Sequence, residues 1–262
     1  MERRAAIETL LHTQGEVEFS SLAKRFAVSE MTARRDLEAL QTAGTARLVR
    51  GGAILVSRRG YEPPVRARDR ARAAQKALIA HQAASLLEPS QSIYLDAGTT
   101  MVALARAIAA TGLELFVVTP NLRATPILAL NPGIHTVVPG GRVRAHEQSV
   151  VGSDAEAFVG AFNVDTAFVA AAGVDPIKGV TDFGVDETRV KQSAIRSADR
   201  TILLADSTKI YNVALCHVCR VSDLNVLVTD APEDHPAASA ILEQGVQWIT
   251  AGIFSSDGET RE

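Results

Sequence analysis

The stretch VSEMTARRDLEALQTAGTARLVRGGA, residues 28–53, decides how the amino-terminal part of this 262-residue chain folds. Ser29 is placed to cap a helix in which Ala33, Leu37 and Leu40 recur at i, i+4 and i+7, a spacing that predicts one buried face. The opposite face carries Met31, Arg35 and Glu38, flanked by Thr32 and Arg34. Gly44 is expected to stop this helix. Residues 47–53 are expected to return as a strand pair whose Gly51-Gly52 tip lets a backbone lie close to another surface.

Upstream, residues 3–13 read as a helix with Ile7, Leu10 and Leu11 apolar and Gly15 at its end. Ser20 is expected to cap a short second helix carrying Leu22 and Phe26 at i, i+4. Only Ala27 and Val28 separate that helix from Ser29, which is the short turn of a helix-turn-helix. With the glycine-tipped strand pair behind it, the pattern predicts a winged helix. Two arginines on a helix face are by themselves ordinary solvated surface. Inside this arrangement they suit a DNA major groove, where guanidinium groups hold guanine edges or clamp phosphates.

The run Val28-Ser29-Glu30-Met31-Thr32-Ala33-Arg34-Arg35-Asp36-Leu37, followed by Gly51-Gly52-Ala53, resembles the amino-terminal reader of the DeoR family of bacterial transcriptional regulators. The resemblance implies contact with double-stranded operator DNA through Ser29, Met31, Thr32, Arg34 and Arg35. Family members often carry Arg-x-His before the paired glycines, whereas Leu48-Val49-Arg50 stands here. The wing's basic contact is therefore expected from Arg47 or Arg50.

Charge is distributed in keeping with a DNA-binding end. The net charge is only −3, yet residues 1–75 hold 14 basic against 9 acidic side chains, and the remainder is acidic. The charged, immediately helical amino terminus is not a secretory signal pattern, and no apolar run is long enough to span a bilayer. A cytoplasmic protein with no membrane partner is expected. Cys216 and Cys219 are the only cysteines, spaced C-x-x-C around His217, with no second ligand pair to complete a structural zinc site. Reduced thiols are expected, and neither a metal nor a cofactor.

The domain organisation expected is a winged helix-turn-helix over 1–57, a linker and the start of a connecting helix over 58–74, an α/β unit over 75–252 and a polar tail over 253–262. The linker is dense in arginine and broken by Pro63-Pro64. Its helix is expected to continue through Ile79, Ala83 and Leu87 to Pro89. Short apolar strands follow at 92–96, 115–119, 135–138, 167–171, 201–205 and 226–229, with helices at 100–110, 122–130, 155–161, 187–198 and 236–244. Strands apolar throughout and alternating with helices imply a mainly parallel sheet covered on both faces, with ligands gathering beyond the carboxyl ends of the strands.

Three loops at those ends are polar. Asp96-Ala97-Gly98-Thr99-Thr100 runs straight into a helix, where free N–H groups, a positive dipole end and hydroxyls suit a phosphate. The same residues also describe an ordinary turn with a threonine cap. Val138-Pro139-Gly140-Gly141-Arg142 and Ala205-Asp206-Ser207-Thr208-Lys209 follow other strands. Lys209 offers a point charge to a phosphate, and Asp206 and Asp96 offer acceptors to sugar hydroxyls.

In its second part too the chain resembles the DeoR family. Lys76, the Asp96–Thr100 loop, Thr119 with Asn121, Gly140-Gly141, Ser149 with Gly152, Gly173, Glu187 with Lys191, and Asp206 to Lys209 stand in that family's effector domain at its order and spacing, with Pro120 in place of a frequent asparagine. The resemblance implies a fold like that of sugar-phosphate isomerases. It implies as effector a phosphorylated sugar or polyol, bound by Asp96, Gly98, Thr99, Thr100, Asn121, Gly140, Gly141, Lys191, Asp206 and Lys209. It also implies a repressor acting on carbohydrate genes as a homo-oligomer, dimer or tetramer.

The kinship with isomerases raises a rival, because Glu187 with Lys191 one turn on could move a proton and stabilise an enediolate. The same i, i+4 pair is a common helix-stabilising pattern. Ribose-5-phosphate isomerases carry an Asp-Gly-Ala-Asp-Glu run where Ala172-Gly173-Val174-Asp175-Pro176 stands here, and the loop before Glu187 lacks their glycine cluster. A sensor without catalytic residues is the expectation. An isomerase with a DNA-binding appendage and a DNA-binding protein without small-molecule control are the alternatives.

Overall fold

A computed structural model describes residues 2–42, 45–55, 60 and 62–252. The helix stop expected at Gly44, the linker arginines Arg58 and Arg59 and the tail over 253–262 lie outside the described residues. The chain divides into two compact units, Met1–Ala71 and Arg72–Glu262.

Among the described residues the first unit holds α1 (Glu2–Gln14), β1 (Glu16–Glu18), α2 (Phe19–Phe26), α3 (Glu30–Thr42), β2 (Ala46–Val49), β3 (Gly52–Leu55) and α4 (Val65–Arg70). Ile7, Leu11, Leu22, Ala33 and Leu37 form one core, so the apolar period of α3 does face inward. Ser29 caps α3, its Oγ accepting the Thr32 N–H at 3.2 Å. Ala27, left-handed at φ +52, closes α2. The expected cap on α2 is corrected: its N-cap is Glu18, and Ser20 lies inside the helix with its hydroxyl 3.4 Å from the Glu18 carboxylate. The helix starts early because it grows directly out of β1, a strand too short to stand out in the sequence.

The strands run in the order β1-β3-β2, all antiparallel. Gly51 turns the tip at φ +93. A side chain on Gly52 would put its Cβ 1.9 Å from the Val17 carbonyl oxygen. The surface that the glycine tip approaches is therefore the chain's own β1.

The connecting helix expected to run unbroken to Pro89 is two helices, α4 and α5 (Ala73–Ala84), separated at Arg72, which adopts φ +55. Local propensity favours continuing the helix, and side-chain bonds of Arg72 described below override it.

The rest of the second unit is β4 (Ser92–Leu95), α6 (Thr99–Ala109), β5 (Leu115–Val118), α7 (Thr125–Leu128), β6 (Ile134–Val137), β7 (Arg142–Arg144), β8 (Ser149–Val151), α8 (Ser153–Gly160), β9 (Val164–Ala170), β10 (Gly173–Asp175), β11 (Gly179–Asp182), α9 (Val185–Arg196), β12 (Ala198–Leu204), β13 (Cys216–Cys219), β14 (Val226–Thr229), α10 (Ala238–Leu242) and β15 (Gln247–Thr250). Seven strands make one wholly parallel sheet in the order β15-β14-β12-β9-β4-β5-β6. Its two faces are separate cores. Ile93 and Leu95 of β4 pack with α5, α6 and α7, while the intervening Tyr94 points to the side of α8, α9 and α10. From β4 the chain builds outward to β5 and β6, then returns to place β9 on the other side of β4 and builds away. The order thus reverses between β4 and β9, where ligands gather in such sheets. A hairpin, β7 with β8, and an antiparallel sheet, β10-β11-β13, were not foreseen from the sequence.

Candidate functional site

In the first unit the quoted stretch sorts its residues by face. Met31 is 62% exposed, Arg34, Arg35 and Ser29 are exposed, and Thr32 is half-buried. Arg34 is anchored: its Nε donates to Glu38 at 3.1 Å and its guanidinium lies 5.8 Å from the centre of the Phe19 ring. Arg35 has no ion-pair partner among the described residues. Arg47 and Arg50 are exposed on β2 and at the wing tip.

Asp36, between Arg35 and Leu37, has a different task. It is buried and accepts Arg3 Nε at 2.6 Å and Arg4 Nε at 3.0 Å, stapling α1 to α3. Burial works against its charge, but the two guanidinium groups outweigh it and hold the carboxyl below the ordinary range. Its place three residues after Ala33 and four before Leu40 was the signal that it belongs to the inner face.

In the second unit the polar residues cluster beyond the carboxyl ends of the parallel strands. Lys191, on α9, is buried, and its Nζ lies 2.9 Å from Asp96 Oδ2, 2.5 Å from Asp182 Oδ2 and 2.5 Å from the Ala170 carbonyl oxygen. Three acceptors engage all three ammonium protons. Burial opposes the charge, but Asp182 and Asp96 outweigh it and raise Lys191 above the usual lysine value. Asp96 also accepts the Ala170 N–H at 3.0 Å and the Tyr94 hydroxyl at 3.2 Å, thereby joining β4 to β9 at the switch point. Burial pushes its carboxyl upward against the pull of Lys191, and burial beside Asp96 pushes the Tyr94 hydroxyl well up.

Asn121 ties this centre to its surroundings. Its Nδ2 donates to the carbonyl oxygens of Asp96 at 3.2 Å and Gly98 at 3.3 Å, and its Oδ1 accepts the Arg123 and Ala124 N–H groups. Asn121 also bridges to Ser149 at the β7–β8 hairpin. The Ser149 hydroxyl donates to Glu187 Oε1 at 2.5 Å, and Arg144 pairs with the other Glu187 oxygen. Arg142 pairs with Asp186, so the hairpin is laced to the first turn of α9. Gly141, at φ +141, is held close to the Val151 carbonyl, while Gly140 is exposed with open space around it.

The alternative that a threonine caps α6 does not hold. The N-cap is Gly98 at φ +100, no side chain caps the helix, and Thr99 and Thr100 are its first residues, buried and half-buried. Gly152 and Gly184 occupy the same position on α8 and α9, again without a side-chain cap. The first turns of α8 and α9 contain acidic residues and that of α6 contains none. Asp206 is buried and spends its carboxylate on its own turn, accepting the Thr208 N–H at 3.1 Å, and Lys209 closes that turn half-buried. Cys216 and Cys219 lie on β13, and burial pushes the Cys219 thiol up to about 12, where it stays protonated.

Asp182, Tyr94 and Arg144 belong to this network and were not singled out from the sequence. Asp182 and Arg144 come from short strands of the small antiparallel pairings, which gave no periodic signal. Tyr94 shares a strand face with Asp96 two residues on, and that spacing was a usable signal.

A helix-turn-helix with an exposed basic helix and a wing, followed by a doubly covered parallel sheet with polar loops along one edge, is the build of a DNA-binding regulator with a separate sensor unit. Residues 3–59 match the DeoR-like helix-turn-helix domain and residues 71–231 match the DeoR C terminal sensor domain. The HTH-type transcriptional regulator YgbI of Escherichia coli (strain K12) is 31% identical over 251 residues, covering 96% of this chain and 98% of YgbI. The glycerol-3-phosphate regulon repressor of the same strain is 26% identical, covering 94% of this chain and 97% of the repressor. Among solved structures, the probable sor operon regulator from Shigella flexneri aligns with TM-score 0.44 at 14% identity, over 65% of this chain and 88% of that one. The chain belongs to the DeoR family of transcriptional regulators. Among the described residues no helix is long and apolar enough to cross a membrane.

Proposed function

We propose that this regulator represses a carbohydrate-utilisation operon as a homo-oligomer and is released from its operator by a phosphorylated sugar or polyol. The start of α6 carries this reading. It presents N–H groups that no side chain caps, on a helix of 11 residues whose first turn has no acidic side chain. Such an end is an anion site by its dipole and its unpaired donors. Gly98, Thr99 and Thr100 would hold the phosphate, with Lys209 adding a positive charge and Gly140 and Gly141 lining the approach. Asp96, Asn121, Asp206 and Lys191 would meet or position the hydroxyl-bearing part. Since its three protons are engaged, Lys191 reaches a ligand only by giving up a partner, so its first task is to hold Asp96 and Asp182 in place.

On the DNA side, Arg35 is the first candidate for base contact, with Thr32, Met31 and Ser29 around it. Arg34, Arg47 and Arg50 would contribute phosphate contacts. The glycerol-3-phosphate regulon repressor supports the effector class by its name. One reader of this size covers a short site, and an oligomer engaging repeated half-sites follows.

The test uses a DNA fragment selected from a random pool by the full-length protein, with binding followed by fluorescence anisotropy. Arg35→Ala abolishes DNA binding and leaves metabolite binding intact. Lys209→Ala binds DNA but no longer responds to the sugar phosphate that releases the wild type. Normal release of Lys209→Ala would remove that residue from the site, and normal DNA binding by Arg35→Ala would overturn the reader assignment.

A further inference from the structure

Arg72 is the first residue of the second unit, two residues beyond the end of α4. Its backbone is left-handed, φ +55 and ψ +33, a region where a long side chain gains nothing and where the chain carries strain. Side-chain bonds hold it there. Its NH2 group donates to Asp230 Oδ2 at 2.5 Å and to Ser207 Oγ at 2.8 Å, and Asp230 Oδ1 accepts the Ser207 N–H at 2.6 Å. Ser207 opens the turn that ends in Lys209, and Asp230 directly follows β14. Two loops of the candidate effector edge are thus clamped onto a left-handed residue in the segment that leads back to the reader. The clamp is also incomplete, because Arg72 Nε is buried without a partner among the described residues.

We propose that Arg72 couples occupancy of the effector site to the connecting segment. This rests on the effector reading above. An anionic group bound at the Ser207–Lys209 turn competes with Asp230 and Ser207 for the guanidinium. Once the clamp is exchanged, nothing holds Arg72 in the left-handed region, and the chain changes direction at residues 71–72. A ligand shifts an equilibrium only through a difference in its contacts between two arrangements, and the exchange of guanidinium partners is such a difference. Arg72 is a positioning residue in this account and does not read DNA.

The experiment compares wild type with Arg72→Ala, Arg72→Lys and Asp230→Asn, all full length. In the last variant the amide oxygen still accepts the Ser207 N–H while the clamp on Arg72 is lost. The probes are the pool-selected DNA fragment and whichever of ribose phosphate, glucose phosphate and glycerol phosphate releases the wild type. In Arg72→Ala and Asp230→Asn the clamp is broken from the start, so DNA affinity without ligand falls to within about threefold of the affinity that the wild type shows with ligand bound. The ratio of DNA affinities with and without ligand, commonly about 5–150-fold for coupled sites, falls below about threefold. Arg72→Lys, which keeps the charge, retains part of the ratio. An unchanged ratio in both Arg72→Ala and Asp230→Asn overturns the proposal. In the absence of ligand, hydrogen exchange gives a second readout: the Lys76 amide, bonded to the Arg72 carbonyl at 2.9 Å, exchanges at least about tenfold faster in Asp230→Asn. Unchanged protection there also overturns it. Failure of the effector reading itself is seen first in the wild type, as DNA affinity that no sugar phosphate alters.

Discussion

Lys191 has exchanged water for two carboxylates and a carbonyl, which engage all three of its ammonium protons. Removing one partner of a buried charge cluster leaves the others uncompensated. Lys191→Met should therefore lower stability by about 3–5 kcal/mol, read as a fall in the urea midpoint of the second unit's transition. A loss under about 1 kcal/mol would mean that the carboxylates are neutralised by other means. Asp36 is the corresponding charge in the reader, and its titration has a definite sign. Its carboxyl is held below the ordinary value, so the stabilisation it brings is complete above the ordinary carboxylate range and is lost as pH falls through the folded value. The reader's melting temperature should drop from about pH 4 downward in the wild type, more steeply than in Asp36→Asn, which starts several degrees lower. Parallel curves would assign the acid sensitivity to other groups.

At the level of elements, the wing depends on a residue with no side chain. Gly52→Ala would drive a methyl into the Val17 carbonyl, so β1 must separate from β3. The variant should lose DNA binding and the cooperative melting of the reader, while the second unit melts as before; retained DNA affinity would show that the β1–β3 pairing is dispensable. Six of the seven strands of the parallel sheet were legible in the sequence, five of them from a run of at least three apolar residues and β6 from the pair Val137-Val138 before Pro139. The seventh, Gln247–Thr250, was missed because only Trp248 and Ile249 between its polar ends are apolar. The hairpin Arg142–Arg144 with Ser149–Val151 was missed because a strand carrying two arginines has no hydrophobic signature; what holds it in place are partners 43 and 44 positions away. The break at Arg72 was invisible for the same reason, since Ser207 and Asp230 lie 135 and 158 positions along the chain. Of the candidate site, the glycine and the two threonines at the start of α6 could be read locally. The burial of Lys191 between Asp96 and Asp182 could not, because it depends on how β9, β11 and α9 pack.

The whole molecule joins two units with separate tasks, a reader with exposed arginines on α3 and its wing and a sensor that buries Lys191 between Asp96 and Asp182. The second unit is proposed to recognise a phosphorylated sugar or polyol through the start of α6 and Lys209. The most direct test is thermal unfolding of the full-length protein against a panel of sugar and polyol phosphates, each paired with its unphosphorylated parent. A ligand present at about 100 times its dissociation constant adds roughly 2.7 kcal/mol, which moves a domain of this size by several degrees. Such a shift is expected in the second unit's transition with one phosphorylated compound, none with its parent, and none in Lys209→Ala. Equal shifts with the phosphate and its parent, or a flat response across the panel, would contradict it.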